Sequence, residues 1–334
     1  MKILYVAKLA TPNFNNDRHV FFGEVWRKAV NEVIYFAKDW VSVPSAHDQA
    51  CNYHSIEELK GYKRSMAMKN IVDKYSPDCI IEMSSDGAGD VITDYLNVNV
   101  PLFYYFYEPI FPRFPLNADN LRGIFYPCRD AMEHLDHSHP YEYIHSSPIY
   151  HYLPFGYNPT VFIRDSSIVK KYDIGFQGCL KVKPEEKRAK HHQHLYDLRE
   201  RFIAHLENYK NLTVGIREHD TSYLYNIFVQ ECRLFLNVGC DYLSSNSRQY
   251  HVPAVGTVLL QYRYEGIVDD GFIDRKNCLL FTTEEQMDQQ IQWSLTHPVE
   301  LEQIRLAGME FAKNHTYIQR AEEMMGEIQQ CLAK

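Results

Sequence analysis

The amino-acid sequence predicts an α/β fold with two doubly wound parallel sheets in tandem. Short apolar runs alternate with helical segments in two separate series, which is the first sign of such a fold. The length of 334 residues also exceeds what one hydrophobic core normally serves. A segment rich in Pro, Tyr and His, residues 109–170, separates the two series. Because strands buried on both faces read as unbroken apolar runs, we expect helices on both faces of each sheet.

The first series begins with residues 2–7, KILYVA, an apolar run of strand length. Apolar side chains then recur at helical spacing through residues 15–33, which predicts a helix. The other elements predicted before residue 156 are strands at 32–37, 78–83 and 102–107, a helix over 55–75, and short candidate strands at 142–147 and 150–155.

The second series begins at residue 172. Its predicted elements are strands at 172–178, 211–216, 234–239, 258–262 and 278–281, and helices at 187–208, 222–232, 284–296 and 298–315. We expect one domain over 1–155, a second over 156–315, and a C-terminal helix over 316–334 that crosses back to the first domain.

Composition narrows the class of protein. The formal net charge of −8 disfavours nucleic acid as a partner, because it leaves no overall basic field. The eight cysteines form no CxxC pair, as expected of buried thiols in a reducing compartment. The N-terminal apolar run is too short for a signal peptide, and no stretch approaches a membrane span. The expectation is a soluble cytoplasmic protein.

One candidate ligand site lies in residues 244–262, SSNSRQYHVPAVGTVLLQY. The pattern predicts a polar loop, a short helix from Ser247 and Arg248, a tight turn at Gly256 and Thr257, and a buried strand. Free N–H groups at the helix start and the Arg248 guanidinium suit a phosphate or sugar hydroxyls, and the turn adds further exposed backbone donors. The alternative is that Arg248 caps a surface helix, with His251 packed beneath it.

A second candidate anion site follows the first strand of this series. Gly178 ends the strand, and Lys181, Lys183, Lys187 and Arg188 come next. A diphosphate needs cations and room for a close backbone approach, and this loop offers both. A solvated basic helix start explains the same residues without a ligand.

A candidate general base lies after the first strand of the chain. An imidazole ordinarily titrates near neutral pH, and a carboxylate such as Asp17 can orient the ring of His19, so His19 suits deprotonation of a hydroxyl group. The alternative is that Asp17 caps a helix and His19 is an exposed surface residue.

Metal and cofactor sites are not expected. The histidine clusters at 133–139 and 191–194 do not pair with a second ligand set at zinc spacing. There is no D-x-D triplet, which a sugar-nucleotide enzyme that holds its diphosphate through a divalent cation would usually show. We therefore predict no cofactor and metal-free binding of any diphosphate.

Over residues 150–325 the order and spacing of motifs resembles GT-B glycosyltransferases, in particular the spore-maturation (CgeB-like) group. The motifs that carry the resemblance are IGFQG followed by Arg188, Leu236 with Asn237, RQYHVPAVG at 248–256, VLLQY at 258–262, FIDRKNCLLF at 272–281 and HTYIQR at 315–320. The resemblance implies two Rossmann-like domains facing an interdomain cleft, with a nucleotide-sugar donor bound mainly to the C-terminal domain and an acceptor mainly to the N-terminal one.

The resemblance also implies roles for single residues. Gly178 and Arg188 would lie near the donor diphosphate, and Arg248 near the phosphate or sugar. His251 would lie beside the nucleotide ribose, where family members usually have glutamate. The other donor-site residues expected from the matching segments are Lys181, Ser247, Tyr250, Gly256 and Thr257. Arg275 stands in a turn where the family often has glycine.

The sequence thus predicts a metal-independent glycosyltransferase, a hexosyl- or pentosyltransferase. His19 or Asp17 would act as base if the reaction inverts the anomeric centre, and no strong base is required if it retains it. One alternative is a nucleotide-sugar epimerase of the same fold. Another is a nucleotide-sugar-binding module with little or no catalysis. The acceptor is unknown: a glycan or a small molecule, while the negative charge disfavours a modified DNA base.

Overall fold

The computed structural model describes residues 1–7, 17–30, 32–37, 52–55, 64–84, 98–106, 119–127, 129, 148–178, 187–218, 222–239 and 245–334. The chain divides into two compact units. One unit consists of Met1–Pro154 and Ile318–Lys334, and the other of Phe155–Tyr317. Each unit is built on one sheet, and all the strand pairs in both sheets are parallel.

The first unit contains a seven-stranded sheet in the order β3-β2-β1-β4-β5-β6-β7. Its strands are β1 (Lys2–Ala7), β2 (Glu32–Ala37), β3 (Asn52–Ser55), β4 (Cys79–Ser84), β5 (Leu102–Phe106), β6 (Leu121–Tyr126) and β7 (Ile149–Tyr152). Its described helices are α1 (Asp17–Ala29), α2 (Arg64–Tyr75) and the C-terminal α8 (Tyr317–Leu332), of which residues 318–332 belong to this unit.

Aromatic packing fixes α1 against this sheet. The Trp26 ring lies 5.0 Å from the Tyr5 ring and 5.5 Å from the Phe22 ring, centroid to centroid, in edge-on contacts. The buried Trp26 Nε1 donates a hydrogen bond to the Ala321 carbonyl oxygen at 2.8 Å. Because Ala321 is in α8, this bond ties the C-terminal helix into the core of the first unit.

Two strands of this unit, β3 and β6, are not predicted by the sequence pattern. β3, NYHS, has no apolar run, and β6 contains Arg122 and Gly123. The glycine is required by packing, since a Cβ atom there would lie 2.8 Å from the Phe103 Cδ1 atom. The predicted strand at 142–147 and residues 56–63 of the predicted helix lie outside the described residues.

The second unit contains a five-stranded sheet in the order β12-β11-β10-β8-β9. Its strands are β8 (Tyr172–Gln177), β9 (Val214–Arg217), β10 (Cys232–Asn237), β11 (Val258–Tyr262) and β12 (Leu279–Phe281). Its helices are α3 (Lys187–Glu207), α4 (Ser222–Glu231), α5 (Arg248–Ala254), α6 (Glu284–Thr296) and α7 (Pro298–Ala312). These elements confirm the predicted second series.

The core of the second unit lies between one sheet face and helices α3 and α6. Alternate residues of β8, Ile174 and Phe176, belong to a buried cluster with Phe202 of α3 and Met287 of α6. Each such side chain contributes about 1.5–3 kcal/mol through its burial. The alternation also places Gly175 and Gln177 of β8 on the opposite face of the sheet.

Arg275 lies in the turn before β12 and has an unusual backbone conformation. Its φ of 53° lies in the left-handed region, which favours glycine. Its Nε atom donates to Gln290 Oε1 at 3.3 Å, and its guanidinium lies 4.6 Å from the Trp293 ring centroid. The conformation gives a physical reason for glycine at this position in the family that the sequence resembles.

Candidate functional site

Polar side chains line the carboxyl edge of the second sheet. In the parallel register, Gln177 of β8 lies beside Arg217 of β9, and Asn237 of β10 lies beside Gln261 of β11. β8 also pairs with β10, with Phe235 beside Gly175, and the same register continued by two residues leads to Gln177 and Asn237. Register neighbours in parallel strands point to the same face of the sheet. Gln177, Asn237 and Gln261 therefore form one buried polar row where open α/β sheets bind ligands.

Asn237 positions Arg248. Its amide nitrogen donates to Gln261 Oε1 at 2.7 Å, and its amide oxygen accepts from Arg248 Nη1 at 2.8 Å and from Asn246 Nδ2 at 3.2 Å. Because Asn237 is neutral, it orients the half-buried guanidinium without cancelling its charge. The arrangement presents a fixed cation at the carboxyl edge of the sheet.

Two guanidinium groups lie close to Gly178. A Cβ atom at Gly178 would lie 3.1 Å from Arg248 Nη2 and 3.6 Å from Arg199 Nη1. The two guanidinium carbons lie 5.5 Å and 5.7 Å from the Phe176 ring centroid, for Arg248 and Arg199 respectively. Arg199 Nη2 also donates to the Val238 carbonyl oxygen at 3.1 Å. The absence of a side chain at Gly178 keeps the backbone open beside both cations.

Arg199 is a site residue that the sequence reasoning missed. It lies on α3 between Tyr196 and Phe202, at the spacing of a core-facing helical stripe, and it is 2% exposed. Arginine is rarely buried without a specific role. An arginine on an otherwise apolar stripe was the sequence signal for it, whereas the prediction selected Arg188, which begins the same helix.

The expectation of free N–H groups at the start of α5 is wrong, because these groups are hydrogen-bonded within the protein. Arg248 N donates to Asn246 Oδ1 at 3.0 Å, Gln249 N to the Asn246 carbonyl oxygen at 3.2 Å, and Tyr250 N to the Ser247 carbonyl oxygen at 3.1 Å. Gln249 Oε1 in turn accepts from Asn246 N at 2.7 Å, which completes a reciprocal cap. The Ser247 side chain makes no capping bond. The cationic character of this segment therefore comes from the Arg248 side chain.

The expectation of exposed backbone donors at Gly256 and Thr257 is also wrong. Gly256 N donates to the Pro253 carbonyl oxygen at 3.0 Å, and Thr257 N to that of Val252 at 3.3 Å. The φ of 76° at Gly256 closes this helix end. The Thr257 side chain is buried, and its hydroxyl donates to the Val229 carbonyl oxygen at 2.7 Å. Both residues precede β11, so they lie at the amino edge of the sheet, about 16 Å from its carboxyl edge.

His251 and Tyr250 point to different surroundings. The His251 ring stacks on the Phe162 ring, with centroids 3.9 Å apart and planes 15° apart, and meets the Tyr225 ring edge-on at 6.1 Å. Burial raises the pKa of Tyr225 to about 12, while the charge and hydrogen bond of Arg248 act to lower it. Tyr250 is fully buried and packs against His315 at 5.1 Å. The structure places Tyr250 in the core and His251 in an aromatic cluster.

The remaining predicted site residues are placed only in part. Asp17 and His19 lie in the first turn of α1, and Arg188 in the first turn of α3. Their side chains, and all of Lys181, lie outside the described residues. Their assigned roles stay predictions.

The described residues contain no group of three or more His, Cys, Asp or Glu side chains that could hold a metal ion. Within the same part of the chain, no helix has the length and apolar character needed to cross a membrane.

Part of this chain matches the model of a known protein family. Residues 187–326, which include Arg199, Asn237 and Arg248, match the model of a family described as glycosyl transferase-like. No curated protein matches the sequence of this chain.

Solved structures resemble the chain along nearly its whole length. Sucrose-phosphate synthase from Thermosynechococcus elongatus has a TM-score of 0.68 and 14% identity, over 99% of this chain and 99% of that one. Anabaena HepE, solved in complex with UDP and glucose, has a TM-score of 0.66 and 10% identity, over 99% and 100%. A glycosyltransferase from Rickettsia africae has a TM-score of 0.66 and 13% identity, over 99% and 98%. The chain therefore has the fold of GT-B glycosyltransferases, with two Rossmann-like α/β units, as its sequence predicted.

Proposed function

We propose that the protein is a glycosyltransferase that moves a sugar from a nucleoside-diphosphate sugar to an acceptor hydroxyl. The observation that carries the proposal is the pair of guanidinium groups, Arg199 and Arg248, beside Gly178 at the carboxyl edge of the second sheet. The family match over residues 187–326 and the UDP held by the similar Anabaena HepE support it.

The chemistry of the site fits departure of a nucleoside diphosphate. As the bond to the sugar breaks, negative charge grows on the diphosphate, and fixed cations stabilise that charge in the transition state. Arg248, held by Asn237, is such a cation, and Gly178 leaves room for the phosphate next to the backbone. Lys181 and Arg188 would add positive charge. The proposal includes diphosphate binding without a divalent metal ion.

Activation of the acceptor belongs to the first unit. In an inverting reaction, His19, oriented by Asp17, would take the proton of the acceptor hydroxyl as it attacks the anomeric carbon. In a retaining reaction the departing diphosphate could take that proton itself. The finer assignment to the CgeB-like group is also part of this proposal, and it rests on the order and spacing of the motifs over residues 150–325.

A turnover assay tests the proposal. The protein is incubated with UDP-, GDP-, dTDP- and CDP-sugars in excess EDTA, with and without a panel of glycan and small-molecule acceptors, and free nucleoside diphosphate is measured. Release that depends on an acceptor is the expected result. Conversion of one donor sugar into its epimer without an acceptor would instead show an epimerase, and binding without either reaction would show a binding module.

A further inference from the structure

A buried amide at the carboxyl edge of the second sheet lacks hydrogen-bond partners. Gln177 is the last residue of β8 and is 2% exposed, yet neither its Nε2 nor its Oε1 atom has a partner among the residues that the structure describes. A buried polar group without a partner costs about 1–3 kcal/mol. The neighbouring amides in the same row do have partners, since Asn237 donates a hydrogen bond to Gln261.

The position of Gln177 connects it to the proposed donor site. It precedes Gly178, where a Cβ atom would lie 3.1 Å from Arg248 Nη2. The register of β8 with β10, continued two residues past Gly175 and Phe235, leads to Asn237, which accepts a hydrogen bond from Arg248. A ligand that places its diphosphate beside Arg248 would bring its neighbouring groups to Gln177.

The donor and acceptor atoms of the amide indicate which groups of a ligand it would bind. A primary amide offers donors on nitrogen and an acceptor on oxygen. Phosphate oxygens only accept, so they would leave Oε1 without a partner. A hydroxyl group both donates and accepts, and two adjacent hydroxyl groups can satisfy both ends of the amide.

We propose that Gln177 is a specificity-determining residue whose amide binds hydroxyl groups of the donor, either on its ribose or on the transferred sugar. This assignment rests on the proposed function of the site. It accounts for the unpartnered amide as a group that gains its hydrogen bonds only when donor is bound, a gain that favours the correct ligand.

The test compares the wild type with Gln177→Met, which keeps the length of the side chain and removes both hydrogen-bonding groups. Affinities are measured by titration calorimetry for inorganic pyrophosphate, for UDP, GDP, dTDP and CDP, and for the glucose conjugate of each. We expect pyrophosphate affinity to change less than twofold. Affinity for the preferred nucleoside diphosphate falls about tenfold if ribose is the partner, and only its glucose conjugate loses affinity if the sugar is the partner.

Stability gives an independent readout. Because Gln177→Met removes an unpartnered buried amide, the variant without ligand should melt about 2–4 °C above the wild type. A lower melting temperature or a failure to fold would show that the amide is bonded within the protein, and would overturn the assignment. Unchanged affinities for every nucleotide would overturn it as well. A wild type that binds none of these ligands would overturn the proposed function and, with it, this inference.

Discussion

At the residue scale, Asn237 contacts Arg248 through a neutral amide group. The Asn237 amide oxygen accepts a 2.8 Å hydrogen bond from the guanidinium and brings no negative charge to it. A carboxylate at the same place would hold the arginine as firmly and would neutralise it. We therefore expect anion binding beside Arg248 to depend on an amide at position 237.

The substitution Asn237→Asp tests this. We expect affinity for the preferred nucleoside diphosphate to fall at least about tenfold, because the new carboxylate pairs with Arg248 and repels the phosphate groups. Titration calorimetry measures it, with the exposed Asn211→Asp as the matched control for added negative charge. Equal losses in the two variants would contradict a local role for Asn237.

Individual site residues were predictable only where the local pattern was sufficient. Gly178 and Arg248 could be placed, because a glycine after a strand and an arginine at a helix start carry a local signal. Arg199 could not be ranked above Arg188, because its contact with Phe176 and Val238 joins residues that are distant in the sequence. Gln177 looked like an ordinary strand residue until the register showed its neighbours.

At the element scale, α5 runs between the two edges of the second sheet. Its first residue, Arg248, contacts Asn237 at the carboxyl edge, and its end at Gly256 leads into the amino end of β11. The sequence predicts this helix and its turn but does not separate the two edges, because only seven residues lie between Arg248 and Gly256. We therefore assign Gly256 a structural role.

The substitution Gly256→Ala tests that role. A φ of 76° strains alanine, and the new Cβ atom would lie 2.9 Å from Arg305 Nη1, so we expect a loss of about 1–3 kcal/mol in the free energy of unfolding. Urea unfolding measures it. Affinity for the nucleoside diphosphate should stay within twofold of the wild type.

Gly326→Ala is the matched control, since a Cβ atom there meets nothing within 4 Å and the residue lies inside α8. This variant should gain about 0.5–1 kcal/mol. If Gly256→Ala instead kept full stability and lost nucleotide affinity, Gly256 would belong to the ligand site after all.

The contact between β7 and α8 is pH dependent. His151 Nε2 lies 3.1 Å from Glu323 Oε1, and Glu327 lies 3.9 Å from the other ring nitrogen. The Glu323 hydrogen bond raises the pKa of His151. Burial acts to raise the pKa of Glu323, but the bonds from His151 and Arg320 outweigh it and lower that pKa.

These directions give the sign of the pH effect. The histidine contribution is complete below its ordinary pKa of 6.5 and is lost as pH rises through the raised value. The glutamate contribution is present above its ordinary pKa of 4.5 and is lost in acid. We expect His151→Gln to lower the melting temperature more at pH 5.5 than at pH 8, as measured by calorimetry. An equal decrease at both values would exclude a protonated His151 in the contact.

Element prediction succeeded where apolar periodicity was unbroken. β1 and β4 are mostly apolar and buried, while β8 and β10 carry buried apolar residues beside one or two polar ones, and all four lie where the sequence predicted them. β3 and β6 were not predicted, because their stability comes from pairing with neighbouring strands and not from their own composition. Tertiary context of this kind is not contained in a local window of sequence.

At the scale of the whole molecule, each of the two parallel sheets has a carboxyl edge where ligands can bind. The fold by itself does not decide the reaction, because many functions occur on the same architecture. The negative net charge of −8 makes the cations beside Gly178 a local feature and not part of a general basic surface. A nucleoside diphosphate is the ligand class that such a local site suits.

Binding of nucleoside diphosphates without metal tests this account most directly. UDP, GDP, dTDP and CDP are titrated in excess EDTA into the wild type, into Arg248→Gln, and into Arg233→Gln, a control that removes an exposed arginine at the other end of β10. We predict that one diphosphate binds the wild type and the control equally and binds Arg248→Gln at least about tenfold more weakly. Binding that requires a divalent metal, or equal affinity in all three proteins, would contradict the account.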